Sequence, residues 1–397
     1  MTTRNIYAGA DRIGDIPFSP VRKVMERAKE IEQLGNKMVY FQIGEPDFNT
    51  PRPIVDATID ALNRSRTKYA PNRGTPQLRE AVSRDIARKT GLTYDPATEI
   101  IVTVGGAEAV NNAIMAFINP GDEVILFTPA YMNYANVARM AGGVVVPIPL
   151  RKENRLQFDP REVERAVTPR TKMIVVNNPG NPTGVVYEKA ALAELAAIAV
   201  KHDLLVFSDE IYDEILYDGA ECASIAAFPG MRERTILMNG FSKAYAMTGW
   251  RLAYLAADPR LATHLLKVHQ YETTCAPTFI QDGIAAAMFL PETGAAKAEQ
   301  VASFARRRRL LLDGLRAIPG FDFAEPKGAF YVLLDVSGTG LDGEAFAARL
   351  LEEKHVAVVP GTGFAPDCVD YVRISFAVAD ADIELGLERM REFVASL

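Results

Sequence analysis

A chain of 397 residues, 48% hydrophobic and 24% charged, has the composition of a soluble globular protein and is long enough for more than one domain. Its formal net charge of -6 gives no basic footprint for nucleic acid, and no apolar stretch approaches the roughly 20 residues that span a bilayer. The N-terminal residues carry no hydrophobic signal core, so the expected location is cytoplasmic; the scattered Cys222, Cys275 and Cys368 and the four unclustered histidines predict neither a disulfide framework nor a metal site.

In chain order, the first periodic segment is an amphipathic helix over Val21–Leu34. Seven short apolar runs follow as candidate strands: Glu99–Val104, Glu123–Phe127, Val144–Ile148, Lys172–Asn177, Leu204–Ser208, Thr235–Asn239 and Leu252–Ala256. Amphipathic helices such as Ala107–Ile118, Tyr131–Ala141 and Lys189–His202 lie between them. Strands buried on both faces that alternate with helices predict an α/β fold with a mostly parallel sheet. Beyond residue 290 the pattern changes. Pro291-Glu292-Thr293-Gly294 punctuates two long helices, and the tail mixes strands (Ala329–Leu334, Val356–Val359, Tyr371–Phe376) with helices, which predicts a smaller α+β domain. The expected division is a large domain over 49–290 and a small one over 291–397. Arg306-Arg307-Arg308-Arg309 falls inside a helical pattern and is expected to form its solvated face.

Ligands in open α/β sheets gather at the carboxyl ends of strands, and the residues there form a suggestive set. Gly105-Gly106-Ala107 opens a helix after the first strand, presenting free N–H groups to an anion, with Ser242 and Arg251 as further phosphate donors. Asn178-Pro179-Gly180-Asn181-Pro182-Thr183-Gly184 is a rigid turn after the fourth, and Asp209-Glu210-Ile211-Tyr212 closes the fifth. If the chain turns helically there, Asp209 and Tyr212 share a side while Glu210 points away. The sixth strand ends at Gly240, ahead of Ser242-Lys243-Ala244-Tyr245-Ala246-Met247-Thr248-Gly249-Trp250-Arg251. A lysine held at the end of a buried strand loses basicity and becomes a nucleophile, as a Schiff-base lysine requires. In Tyr371-Val372-Arg373-Ile374-Ser375-Phe376 the arginine sits within an apolar strand. It either pairs with an acid such as Asp370 or offers a permanently charged fork to a carboxylate.

The Ser242–Arg251 run resembles the pyridoxal-phosphate lysine signature of class I and II aminotransferases, fold type I, nearest in pattern to the bacterial aspartate and aromatic enzymes. Further family-like motifs recur from about residue 40 to 376. The resemblance implies pyridoxal 5'-phosphate as cofactor, Lys243 as its anchor and general base, and Asp209 as partner of the ring nitrogen. It also implies Tyr212 and Asn181 at the ring oxygen, Tyr131 stacked on the ring, and Tyr69 reaching the phosphate of a neighbouring subunit in an obligate homodimer. Arg373 and the backbone of Gly44 would then take the substrate carboxylate, and residues 1–48 would join the small domain. The implied reaction moves an amino group between an L-α-amino acid and a 2-oxo acid; a carbon–sulfur β-lyase on the same fold is the alternative. A sensor domain of a transcription regulator would need an appended DNA-binding module and a basic face, and neither is expected of this chain. Strict aspartate enzymes of the family hold the distal carboxylate with a partner-subunit arginine, and the matching position lies near Gln270 with no arginine at hand. The stretch Asp15-Ile16-Pro17-Phe18-Ser19 is expected to line that pocket, which implies a broad-range enzyme.

Overall fold

In the computed structural model residues 7–14 and 16–397 are described. All seven expected strands form one sheet: β1 Ile100–Thr103, β2 Glu123–Thr128, β3 Val144–Pro149, β4 Thr171–Asn177, β5 Leu205–Asp209, β6 Thr235–Gly240 and β7 Ala253–Ala256. Their order is β1-β7-β6-β5-β4-β2-β3. Every neighbouring pair is parallel except those made by β7, which runs antiparallel to β1 and β6. Strands β1, β2, β6 and β7 are buried along their whole length. Separate apolar cores pack on the two faces, one around Ile174, Val206 and Leu192, the other around Val175, Phe207 and Val110. That explains the continuous hydrophobic runs.

Boundaries shift by a residue or two, and one shift matters. Strand β5 extends to Asp209, whose backbone is in register with Asn177 on β4 and Met238 on β6. The carboxylate is therefore fixed by the sheet itself. Residues 211–214 after it form successive turns, not a helix, yet Glu210 does point away, to the hydroxyls of Ser208 and Ser224.

A four-stranded antiparallel sheet combines Val359–Pro360, Tyr371–Ser375, Tyr331–Asp335 and Asp322–Phe323. The expected strand Val356–Val359 is split, because Val356–Ala357 pairs with Val39–Tyr40 while Val359–Pro360 joins the four-stranded sheet. The first pairing ties the N-terminal segment to the C-terminal region, where Val39 and Phe41 share a core with Phe304, Phe346 and Phe393. Pro291–Gly294 forms the first turn of one helix, Pro291–Arg316, where proline needs no N–H partner. The arginine run on that helix departs from expectation. Arg306 and Arg309 are exposed, but Arg307 and Arg308 are buried, Arg307 pairing with Asp47 and Asp380 and Arg308 with Asp218 and Glu325. Four consecutive helical residues sweep the full circumference, so two of them must face the core side. Among the described residues no helix is long and apolar enough to cross a membrane.

Candidate active site

The carboxyl ends of β4, β5 and β6 open into a cavity of about 620 Å³ that also receives residues from the C-terminal sheet and from the helix Pro20–Gln33. Gly106, Ala107, Tyr131, Asn181, Asp209 and Tyr212 line it, as do Ser242, Lys243, Arg251, Gly44 and Arg373. Two expected residues do not. Gly105 lies just outside the wall, its φ of +77 closing the turn so tightly that a Cβ would strike the Arg251 guanidinium. Tyr69 is 88% exposed on the surface of this chain.

Lys243 follows β6 in a turn whose backbone is held from behind, since the Gln300 amide donates to the Lys243 carbonyl at 2.8 Å. Its ammonium donates to the Gly44 carbonyl at 2.6 Å. Burial pushes the Lys243 amine down to about 8; the Glu45 carboxylate opposes this, and the Arg373 and Arg251 cations add to it. Asp209 is the counterpart, pushed up to about 6 by burial and opposed by two donors. The Tyr134 hydroxyl donates to it at 2.5 Å and the Ile211 N–H at 3.1 Å.

Arg373 is 3% exposed. One nitrogen donates to the Asn181 side chain at 3.1 Å and another to the Gln42 carbonyl at 2.6 Å. Its Nε is buried without a hydrogen-bond partner. No acid pairs with it among the described residues; its neighbours are the rings of Tyr331 and Phe364, at 4.5 and 4.9 Å. The Asp370 alternative is thereby removed. A buried cation left without an anion is expensive unless a ligand supplies one.

Sequence reasoning missed three contributors. Tyr134 lies one helical turn after Tyr131, so the i, i+3 rule was the available signal. Tyr331 bonds the Tyr212 hydroxyl at 3.0 Å and leaves room only for glycine at position 44. In the antiparallel ladder Leu333 lies opposite Arg373, which puts Tyr331 on the same face as the arginine. In the sequence, Ala329-Phe330-Tyr331 reads only as core. Glu108 and His269 form the third, hidden prop. Glu108 accepts from the Val104 N–H and from His269 at 2.5 Å, and the other ring nitrogen of His269 meets the Asn72 carbonyl at 2.7 Å. This fixes the start of the helix Gly105–Phe117. The expected distal wall also differs. Ser19 lines the cavity but Phe18 is 85% exposed, Asp15 lies outside the described residues, and Gln270 is not in the wall.

A glycine-opened helix start beside Ser242 and Arg251 suits a phosphate. A buried carboxylate suits a protonated ring nitrogen, and an amine of lowered basicity suits an aldehyde. The closely approached Gly105 and the unsatisfied Arg373 leave room and charge for such a group and its carboxylate substrate. Fold and cavity together define a fold type I enzyme that uses pyridoxal phosphate.

Residues 36–390 match the family model described as aminotransferase class I and II. An aromatic-amino-acid aminotransferase of Thermococcus litoralis is 39% identical over 383 residues, 96% of this chain and 97% of its own. An aspartate/prephenate aminotransferase of Thermus thermophilus is 43% identical over 367 residues, 92% and 93% of the two chains. The solved structure of aspartate aminotransferase from Thermus thermophilus with maleate superposes with a TM-score of 0.93 at 41% identity, covering 97% of this chain and 99% of that one. The chain belongs to the class I and II aminotransferase family. It is a pyridoxal-phosphate-dependent transaminase, and the lyase alternative finds no support among these relatives.

Proposed function

We propose that the enzyme is a broad-range transaminase that accepts aspartate, glutamate and aromatic amino acids, and that Arg373 and the Gly44 backbone bind the α-carboxylate common to all of them. The observation that carries this reading is the buried Arg373 cation, which has no acid partner among the described residues. Gly106, Ala107, Ser242 and Arg251 hold the cofactor phosphate, with Gly105 closing the turn behind them; Tyr131 covers the ring, and Asn181 and Tyr212 meet the ring oxygen. Tyr69, exposed on this chain, serves the phosphate of a second copy in a cytoplasmic homodimer. The chain divides into a large domain, 49–290, and a small one, 291–397, that also takes up residues 1–48.

Pyridoxal phosphate, when bound, supplies an aldehyde for an amine and a protonated ring that draws the electron pair of the Cα–H bond. Asp209 keeps the ring nitrogen protonated. Lys243 would anchor the group, and its free Nζ would accept the Cα proton of the substrate. Arg373 fixes the substrate so that the Cα–H bond faces that nitrogen.

Adding each amino acid singly to the holoenzyme tests the reading: the cofactor absorbance should change and one equivalent of 2-oxo acid should appear. Comparable responses to aspartate, glutamate and phenylalanine are expected. A preference for aspartate beyond about a thousandfold in kcat/KM, roughly 4 kcal/mol, would overturn the breadth.

Two variants probe the residues. Arg373→Ala should raise KM for every α-amino acid, at a cost of roughly 2–5 kcal/mol in kcat/KM; an unchanged KM would remove Arg373 from the substrate site. Tyr134→Phe removes a hydrogen bond that lowers the basicity of Asp209. Asp209 then protonates at higher pH, so the acidic limb of the kcat profile should move upward by roughly one to two pH units, the range of one hydrogen bond to a charged group. A profile superposable on the wild type would show that Tyr134 has no influence on Asp209.

A further inference from the structure

Among the described residues four cations line the cavity: Lys243, Arg251, Arg373 and Arg22. Three are engaged. Lys243 meets the Gly44 carbonyl, Arg251 the Thr248 carbonyl, and Arg373 Asn181 and Gln42. Arg22 is exposed, and among the described residues its guanidinium has no hydrogen bond, ion pair or ring contact. The Glu45 carboxylate in the same wall is taken by the Thr248 hydroxyl and is not its partner.

The placement of Arg22 is unfavourable for the helix that bears it. It stands in the first turn of Pro20–Gln33, where the dipole opposes a positive charge, and that turn contains no acid to offset it. Val21 and Met25 from the same helix and Ile43 line the wall with it, as does the polar Ser19 just before the helix. A cation on a long flexible stem, set beside apolar side chains at the rim of a site whose α-carboxylate binder is Arg373, fits a second negative charge further along the substrate.

We propose that Arg22 is a specificity-determining residue that receives the side-chain carboxylate of dicarboxylic amino and 2-oxo acids, while Val21, Met25 and Ile43 accept apolar and aromatic side chains when Arg22 turns outward to water. This rests on the transaminase reading above and adds to it the group that separates the two substrate classes. Dual use follows from the exposure of Arg22. When no second carboxylate is present the guanidinium returns to solvent, so an apolar substrate does not strand a buried charge.

The test compares wild-type, Arg22→Met and Arg22→Lys holoenzymes on aspartate, glutamate, alanine, methionine and phenylalanine. Competitive inhibition by glutarate and by butyrate is measured on the same three proteins. Arg22→Met should lower kcat/KM for aspartate and glutamate by roughly ten- to a hundredfold, the range of a hydrogen bond to a charged group, and leave phenylalanine within about threefold. Glutarate inhibition should weaken in step while butyrate inhibition stays the same, and Arg22→Lys should recover part of the loss. If all five substrates fall together, or if the dicarboxylates fall by less than about threefold, Arg22 does not read the distal group. A wild-type enzyme that turned over none of the five would instead refute the proposed substrate range, so the two failures are distinguishable.

Discussion

Replacing Lys243 with alanine should lower turnover by several orders of magnitude while the fold persists. The side chain makes one hydrogen bond, to the Gly44 carbonyl, whereas the loop that carries it is held through its backbone by Gln300. Truncation therefore removes the amine and leaves its platform. Arginine should not substitute, because its guanidinium never yields a neutral nucleophile at accessible pH. Burial brings the Lys243 amine down to about 8, so the reactive fraction of the cofactor-free protein should rise with pH through that value and then level off. Borohydride reduction of the holoenzyme followed by peptide mapping should recover the label on Lys243 alone. Label on any other lysine would displace it from the anchoring role, and a pH course centred near that of an exposed lysine would show that burial does not tune it.

Much of this site could be read in the sequence because the sheet concentrates it at strand ends. Each of the seven strands was visible as a short apolar run, and the residues just beyond β1, β4, β5 and β6 are those that line the cavity. What escaped is tertiary. Tyr331 comes from the C-terminal sheet, and its meeting with Tyr212 bridges 119 positions of sequence. His269 supports the helix Gly105–Phe117 from 161 positions away. No local periodicity encodes such contacts. Arg307 and Arg308 were misjudged for a related reason. A run of four like charges looks solvated until Asp47, Asp218, Glu325 and Asp380 are seen around it. Asp209 and Tyr212, three apart, would share a side if the chain turned helically there, yet successive turns bring both into the cavity just as well.

Asp209→Asn should damage catalysis far more than cofactor binding. Asp209 is almost fully buried at the end of β5 and accepts two hydrogen bonds, from the Tyr134 hydroxyl and the Ile211 N–H. An asparagine of the same shape keeps the Ile211 bond through its carbonyl, and the Tyr134 hydroxyl can rotate to accept from its amide. Packing should survive. The negative charge is lost, and a neutral amide cannot hold a proton on a pyridine nitrogen, so the drive to break the Cα–H bond weakens. Removal of one preorganised electrostatic partner of this kind lowers kcat by roughly a hundred- to a thousandfold. Because proton abstraction becomes slower, the isotope effect with Cα-deuterated substrate should grow, while the bound cofactor stays detectable by its absorbance. The pH profile supplies an independent reading. Burial raises Asp209 to about 6 in the cofactor-free protein, and a bound ring cation opposes its protonation. Wild-type activity should therefore fall as pH drops through a value at or below that figure, and the variant should lack this limb. Near wild-type turnover in Asp209→Asn would mean that the ring nitrogen finds its counter-charge elsewhere, and among the described residues no other acid in the cavity wall apart from Glu45 is available to provide it.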